Sequence, residues 1–241
     1  MAHRYFISRL NGDEALITGP EAQHIIKVMR LGPGDVLTLS NKDGFDYTAR
    51  ITAAESGQVT CQVISKEKNP ADPEKKLTVF MALPKSDKLE FITQKMCELG
   101  AVRLIPFVSE YCVAQKSKKD ESKTARLQKI SDEACKQCAR STPMEVSPTM
   151  AMAQILPMLK EFDKVLLFYE KGSEKLSEIN FDGCENTAVI IGSEGGFSPR
   201  EAEKIQRHGA VSLLLGQRIL RCETAAVTAA ALTMFCLGEM E

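Results

Sequence analysis

A glycine-rich loop near the carboxyl terminus is well suited to hold a small ligand. The apolar run Thr187–Ile191 leads into Gly192, Gly195 and Gly196, and then into a helix start marked by Ser198. Glycines let a backbone turn sharply and approach a ligand without interference from a Cβ atom. The spacing matches neither the G-x-G-x-x-G pattern nor a Walker A loop. The loop therefore gives little support for a dinucleotide or a nucleoside triphosphate as the ligand. On this loop alone, a sharp strand-to-helix turn without a ligand is the alternative.

A second candidate loop follows the last predicted strand. It carries the apolar pair Ile219 and Leu220 between Arg218 and Arg221, and it leads into an alanine-rich helix predicted over 223–238. Because an apolar pair is costly to leave in water, we expect this loop to pack inward or to be threaded. The two arginines suit either an anionic ligand or the capping of backbone carbonyls. The helix is apolar on nearly all sides, which predicts burial in a core or in a dimer interface.

Basic residues concentrate in the segment 116–140, although the formal net charge of the chain is −1. Against four acids, this segment carries eight basic residues: Lys116, Lys118, Lys119, Lys123, Arg126, Lys129, Lys136 and Arg140. A local excess of this kind can contact nucleic-acid phosphates even on a near-neutral protein. A solvated helix face with intrahelical ion pairs explains the same charges equally well.

The sequence gives little support for a metal site, for disulfide bonds or for a membrane-spanning helix. Eight cysteines are present, but most lie in apolar, core-like segments, which favours reduced thiols. Cys135 and Cys138 form one C-x-x-C without a second pair at zinc spacing, so we predict no metal site. The longest apolar run, Ala225–Leu237, is shorter than the roughly 18–20 residues of a membrane helix. With no signal-peptide pattern at the start, we expect a cytoplasmic protein without a membrane partner.

Residues 67–76 form a charged stretch with two prolines, which predicts a linker. It divides the predicted strands and helices of the chain into two groups. The strands predicted before it are Tyr5–Leu10, Asp35–Ser40, Tyr47–Thr52 and Gln58–Lys66. One helix is predicted among them, over Glu21–Leu31. Closely spaced short strands in so small a unit favour a little barrel. We therefore predict two domains, residues 1–70 and 71–241.

The second part of the chain alternates apolar strands with helices. This pattern predicts an α/β domain with a mostly parallel sheet of about five strands. Those strands are Leu77–Leu83, Arg103–Val108, Lys164–Tyr169, Thr187–Ile191 and Val211–Leu215. Because ligands of such sheets bind beyond the carboxyl ends of the strands, we expect the chemistry in the loops that follow them.

Taken together, these loops resemble those of the SPOUT class of RNA methyltransferases. Within that class the chain is similar to the bacterial RsmE family, which methylates N3 of a uridine in 16S ribosomal RNA. The segments that carry the resemblance are His24–Asp35, Lys85–Gly100, Glu133–Arg140, Ile191–Ser198 and Leu215–Ala225. The resemblance implies a SPOUT domain whose last strands and loops form a trefoil knot, an exception to the rule that chains avoid knots. It also implies a PUA-like β-barrel in front of that domain.

The resemblance further implies partners and residue roles. S-adenosylmethionine would be the methyl donor, 16S ribosomal RNA in the 30S subunit the partner, and the protein a cytoplasmic homodimer that does not bind DNA. The donor-binding residues would be Phe168, Gly192, Glu194, Gly195, Gly196, Leu215, Gly216, Gln217, Ile219, Leu220 and Ala225. The RNA-binding residues would be Lys27, Arg30, Lys85, Lys95 and Gln137. The catalytic residues would be Arg140 and Arg221.

Arg140 shares a predicted helix flank with Glu133 and Gln137, and we expect it to face the uracil and stabilise charge on its oxygens. A surface arginine at a helix end is the alternative for Arg140, and a helix-end cation is the alternative for Arg30. Cys138 and Cys222 are expected to serve packing, because N3 methylation offers no role for a thiolate.

Two positions depart from the family pattern. Tyr111 stands where an arginine is usual, so no RNA contact is assigned to it, and Ala139 stands where glycine is common. We expect alanine at 139 to be tolerated within a helix. Two other functions stay open at this point: methylation of another RNA site, such as transfer RNA or a ribose 2′-hydroxyl, and a non-catalytic RNA-binding assembly factor.

Overall fold

The computed structural model describes residues 4–55, 57–85, 87–113 and 120–240 of the chain. They form two compact units. The first comprises the residues up to Asp72 together with Cys135–Pro143, and the second comprises Pro73–Ala134 and the residues from Met144 onward. The sequence analysis expected a single boundary near residue 70. The structure adds a later segment, Cys135–Pro143, to the first unit.

The first unit is built on a curled six-stranded sheet. Its strands are β1 (Arg4–Phe6), β2 (Arg9–Asn11), β3 (Glu14–Thr18), β4 (Val36–Ser40), β5 (Phe45–Glu55) and β6 (Gln58–Lys68), in the order β1-β4-β5-β6-β3-β2. β1 and β4 are parallel, and the other neighbours are antiparallel. Alternate side chains such as Leu37, Leu39 and Ile51 fill the core of this unit.

The helical segment between β3 and β4 changes type partway. It begins as α1 (Gly19–Gln23), with Pro20 in its first turn, and continues as a π-helical turn over His24–Val28. The predicted helix over Glu21–Leu31 is therefore present but ends earlier. The N–H of Leu31 donates to the carbonyl oxygen of Ile25 at 3.1 Å, and this turn leaves Lys27 exposed.

The second unit is built on a parallel seven-stranded sheet. Its strands are β7 (Lys76–Ala82), β8 (Arg103–Val108), β9 (Glu145–Val146), β10 (Met150–Ala151), β11 (Lys164–Phe168), β12 (Asn186–Ile191) and β13 (Val211–Leu213). The order is β10-β8-β7-β12-β11-β13, and β9 also pairs with β8. All five strands predicted for this unit are present, and β9 and β10 extend the sheet. In the first unit, the predicted strand Tyr5–Leu10 is instead divided into β1 and β2, and β3 was not predicted. The predicted α/β fold with a small, β-rich amino-terminal unit is confirmed.

The helices that begin in the second unit are α2 (Lys88–Glu98), α3 (Asp120–Gln137), α4 (Met152–Met158), α5 (Pro199–Arg207) and α6 (Cys222–Cys236), with short 3₁₀ turns at Leu159–Glu161 and Leu176–Glu178. α5 starts in the predicted capping box. The Glu201 N–H donates to Ser198 Oγ at 3.2 Å, and the Ser198 N–H donates to the Glu201 carboxylate at 3.1 Å. In the part of the chain that the structure describes, no helix is long and apolar enough to cross a membrane.

The strands β12, β11 and β13 lie side by side, so the loops that follow them leave the same edge of the sheet. The segment 169–174 is fastened to β13. Tyr169 N–H donates to Leu213 O at 3.0 Å, and Glu174 N–H donates to Ser212 O at 3.1 Å. Between these bonds, Gly172 packs on the backbone of Leu213, where an added Cβ would lie only 2.5 Å from the carbonyl carbon.

Candidate functional site

A cavity of about 630 Å³ opens at the carboxyl ends of β11, β12 and β13. Its wall consists of residues 168–170, 191–197 and 214–222, together with Lys88 and Ala225. The predicted donor-binding residues all lie in this wall: Phe168, Gly192, Glu194, Gly195, Gly196, Leu215, Gly216, Gln217, Ile219, Leu220 and Ala225. Two loops chosen from the sequence thus surround one cavity. Their contact with a methyl donor stays a prediction.

The glycines of the first loop are required by its shape. A Cβ on Gly192 would lie 3.1 Å from the Cα of Gly196, because the loop folds back on itself. The Gly196 N–H closes that fold by donating to the Ser193 carbonyl oxygen at 2.9 Å. Gly196 also has a φ of +65°, the left-handed region that favours glycine. Side chains at these positions would displace the cavity wall.

The cavity wall combines apolar and polar surface. Ile219 is 89 % exposed and Leu220 is half-buried, so the expectation that this apolar pair packs inward is wrong for Ile219. Both residues line the cavity, and the second loop therefore presents apolar side chains to this space. The Oγ of Ser193 is buried and has no hydrogen-bond partner among the described residues. Glu170 and Glu194 add two carboxylates to the wall. Lys88, Arg218 and Arg221 line the same space, so the wall carries both signs of charge. This composition suits a ligand that has a flat apolar ring and hydrogen-bonding or charged groups.

Lys88, the first residue of α2, ties the two loops together. Its Nζ lies 2.9 Å from Glu194 Oε1 on the first loop and 3.1 Å from Glu223 Oε2 at the start of α6. The backbone N–H of Lys85 also donates to the Glu194 carboxylate, at 3.1 Å. The carboxylate hydrogen bonds raise the pKa of Lys88. Burial would raise the pKa of Glu194, but the hydrogen bonds that it accepts hold that pKa below its usual value.

Sequence reasoning missed Lys88. The residue lies within the Lys85–Gly100 segment that carries the family resemblance, but its two carboxylate partners are far away in sequence. Only the fold shows that it bridges both loops.

The two candidate catalytic arginines belong to different units. Arg221 is exposed, lines the cavity and precedes α6 as its N-cap residue. Arg140 belongs to the first unit, where its side chain is 3 % exposed and its Nε lies 3.6 Å from Asp72 Oδ1. The alternative interpretation of Arg140 as a surface residue is therefore wrong. The predicted helix flank shared with Glu133 and Gln137 is wrong as well, because α3 ends at Gln137 and the backbone turns at Ala139 before it reaches Arg140. The catalytic role of each arginine stays a prediction.

Ala139 does not lie within a helix, so the expectation based on that placement is wrong. α3 ends at Gln137, and Ala139 follows with a φ of +65°. This left-handed conformation is unfavourable for residues with a Cβ atom. Glycine would adopt it without that cost.

The residues predicted to bind RNA are divided between the units. Lys27, Arg30 and Gln137 are exposed in the first unit, and Arg30 has a φ of +57°. Lys85 is exposed in the second unit, whereas the ammonium group of Lys95 lies 2.8 Å from the carboxylate of Glu98. Their contacts with RNA stay predictions.

The basic segment is only partly described, because Lys116, Lys118 and Lys119 lie outside the described residues. Lys123 and Lys129 are exposed on α3. Arg126 Nη2 lies 2.9 Å from Glu90 Oε2, and Lys136 pairs with Glu21. Part of the basic excess is therefore balanced by carboxylates that the local charge pattern did not reveal.

The cysteines are free thiols, and Cys222 lies in the cavity wall. Burial raises the pKa of Cys222 to about 12, and its thiol donates to Glu223 Oε2 at 3.2 Å. At neutral pH this group is therefore a thiol and not a thiolate nucleophile. Within the described residues, no group of three or more His, Cys, Asp or Glu side chains could hold a metal ion.

Comparison with known proteins agrees with this architecture. Residues 71–234 match the family model of an RNA methyltransferase domain, and residues 17–64 match that of an RNA methyltransferase PUA domain. The Ribosomal RNA small subunit methyltransferase E of Bacillus subtilis is 34 % identical in an alignment of length 235. That alignment covers 92 % of this chain and 92 % of the Bacillus subtilis protein. The protein of that name from Mesomycoplasma hyopneumoniae is 29 % identical and covers 93 % of this chain and 96 % of its own.

Solved structures show the same likeness. A Legionella pneumophila protein in complex with the bound cofactor SAM has a TM-score of 0.87 at 28 % identity, with 98 % of each chain covered. The Ribosomal RNA small subunit methyltransferase E of Neisseria gonorrhoeae, bound to S-adenosyl methionine, has a TM-score of 0.84 at 25 % identity, again with 98 % of each chain covered. With a PUA-like unit in front of the parallel sheet and similarity along nearly its whole length, this chain belongs to the RNA methyltransferase family and, within it, to the Ribosomal RNA small subunit methyltransferase E group.

Proposed function

We propose that this protein transfers a methyl group from S-adenosylmethionine to N3 of a specific uridine in 16S ribosomal RNA of the 30S subunit. The observation that carries the proposal is the cavity of about 630 Å³ enclosed by the two loops after β12 and β13. It lies beyond the carboxyl ends of parallel strands, where ligands of such sheets bind. The relatives that carry the name of this activity are similar over about nine-tenths of the chain, which supports the assignment.

The wall of the cavity fits the proposed donor. Ile219, Leu220 and Leu215 offer apolar surface for an adenine ring. Glu170 offers negative charge to a ligand that carries a sulfonium and an ammonium group, whereas the charge of Glu194 is compensated by Lys88. When bound, S-adenosylmethionine supplies an electrophilic methyl group. The protein contributes by orienting that group and by excluding water from the reacting atoms.

The arginines are proposed to act on the base. Uracil N3 is a poor nucleophile until it loses its proton, and a nearby guanidinium stabilises the negative charge that then spreads to the uracil oxygens. Arg221, in the cavity wall, is proposed to contact the base, and Arg140 is proposed as the second catalytic arginine. Replacing each by alanine in turn tests the pair. If Arg140→Ala kept normal turnover while Arg221→Ala lost it, Arg140 would have no catalytic role.

Lys27 and Arg30 are proposed to hold ribosomal RNA on the first unit, with Lys85, Lys95 and Gln137 as further contacts. The exposure of Lys27 and Arg30 supports this role. Each phosphate contact contributes to the salt dependence of binding. Charge reversal at Arg30 should therefore weaken RNA binding and flatten its dependence on salt, while the affinity for S-adenosylmethionine stays unchanged.

We also propose a cytoplasmic homodimer with a knotted carboxyl-terminal region. Leu232 and Phe235 of α6 are exposed apolar side chains, which supports a dimer contact through this helix. The attachment of residues 169–174 across β13 supports the knot.

The decisive experiment maps methylated nucleotides by mass spectrometry in 16S RNA from a strain that lacks the gene, with and without the gene restored. We expect one N3-methyluridine to be absent from the strain that lacks the gene and to be present again when the gene is restored. Assays on 30S particles, naked 16S RNA and transfer RNA side by side would reveal a different RNA target. A purified protein whose melting temperature did not respond to S-adenosylmethionine would instead be an RNA-binding assembly factor.

A further inference from the structure

The exposed aromatic residues of the second unit include Phe91 on α2, Phe235 on α6 and Tyr111, which lies on a loop. Tyr111 lies on the turn that follows β8 at the carboxyl edge of the sheet, and its side chain is 47 % exposed. Phe80, Phe107 and Phe197, which share this unit, are buried in its core. An exposed ring at the edge where parallel sheets bind their ligands needs a reason beyond core packing.

The backbone on both sides of Tyr111 is held firmly. On one side, the Glu110 N–H donates to Glu201 Oε1 at 2.7 Å, and the Glu110 carboxylate accepts a hydrogen bond from Ser198 Oγ at 2.7 Å. On the other side, the Cys112 N–H donates to the Ser109 carbonyl oxygen at 3.1 Å. Cys112 also packs against the hydrophobic core. Tyr111 is therefore fixed in place while its ring stays open to solvent.

Tyr111 also adjoins the wall of the donor cavity. A Cβ on Gly195 would lie 2.7 Å from the Cβ of Tyr111 and 3.1 Å from its carbonyl oxygen, so the two residues pack directly on each other. Gly195 and Tyr169 both line the cavity. Tyr111 therefore lies beside the cavity wall at Gly195.

We infer that Tyr111 is a substrate-contacting residue: the target base stacks on its ring while the reacting nitrogen enters the donor cavity. This inference rests on the proposed methyltransferase function. A base that reacts with a donor held in the cavity must pass its rim, and a fixed, exposed aromatic face is the surface on which a base stacks. A stack of this kind is worth about 5- to 150-fold in binding.

The test compares Tyr111→Phe, Tyr111→Leu and Tyr111→Ala with the wild type. Each protein is assayed for kcat/KM toward 30S particles or 16S RNA at saturating S-adenosylmethionine. Its Kd for S-adenosylmethionine, measured by calorimetry, reports whether the cavity is intact. Val113→Ala is the matched control, because Val113 is exposed on the same segment and has no aromatic ring on which a base could stack.

We expect Tyr111→Phe to stay within about twofold of the wild type, because the ring face is kept. Tyr111→Leu and Tyr111→Ala should each lose about tenfold or more in kcat/KM for RNA with an unchanged Kd for S-adenosylmethionine. Full activity of Tyr111→Leu would overturn the inference, and so would a Phe variant as poor as the Ala variant, because the hydroxyl would then be the active feature. A wild-type protein that binds no S-adenosylmethionine would instead contradict the proposed function.

Discussion

The substitution Gly172→Ala tests the close packing between residues 169–174 and β13. The added Cβ would lie 2.5, 2.6 and 2.9 Å from the backbone C, O and N atoms of Leu213. Leu213 cannot easily move away, because it is paired with Phe168 in the sheet and accepts a hydrogen bond from the Tyr169 N–H. Gly172 itself is not in the left-handed region, so the expected effect is steric.

The magnitude follows from these contacts. Forcing an extra carbon into a packed region costs about 1–3 kcal/mol. Separating residues 169–174 from β13 also weakens the hydrogen bonds to Ser212 and Leu213, at about 1 kcal/mol each. We therefore expect a loss of about 3 kcal/mol in the free energy of unfolding, which lowers the melting temperature by about 6–12 °C in a chain of this size. Affinity for S-adenosylmethionine should fall too, because Leu214 and Leu215 of the cavity wall come directly after β13.

Differential scanning calorimetry measures the first effect and titration calorimetry the second. The matched control is Gly32→Ala, since a Cβ on Gly32 meets nothing within 4 Å and its φ is not left-handed. That variant should stay within about 0.5 kcal/mol of the wild type. A Gly172→Ala protein that melted within about 1 °C of the wild type would refute the steric argument, because a true overlap with backbone atoms cannot be relieved so cheaply.

Three further predictions concern the site and its surroundings. Lys88→Met should lower the affinity for S-adenosylmethionine, measured by calorimetry, because two carboxylates lose their shared cation, and Lys88→Arg should restore most of it. Ala139→Gly should raise the free energy of unfolding by about 1 kcal/mol in denaturant titrations, because the left-handed strain is removed. Since burial raises the pKa of Cys222 from 9.0 to about 12, the folded protein keeps a proton that the unfolded chain loses. The free energy of unfolding should therefore decline as the pH rises from about 9 to about 12. Melting curves recorded across this range should show a smaller decline for Cys222→Ala.

The loops of the site could be predicted from the sequence because their signals are local. Glycines after a continuous apolar run, followed by Ser198 and Glu201 at capping-box spacing, predict a strand, a turn and a helix start within a few residues. The parallel sheet then places such loops on one edge, whatever the order of its strands. Local pattern and general topology together therefore identified the cavity wall.

The remaining features depend on partners that are distant in sequence. No local pattern shows that Lys88 meets Glu194 and Glu223, or that the Arg140 side chain is buried beside Asp72. The left-handed conformation of Ala139 depends on where α3 ends, and sequence periodicity locates helix ends poorly. The strands β9 and β10 have two residues each, too few to produce an alternating pattern.

The cavity wall comes from segments that are far apart in the chain, from Lys88 to Ala225, and this affects synthesis and folding. Its last contributions come from 214–222 and Ala225, close to the final helix. A nascent polypeptide that has not yet released this stretch has no complete pocket, even when the preceding strands are already paired. Donor affinity therefore requires the carboxyl-terminal stretch, and it offers a direct readout of whether that region has reached its native arrangement.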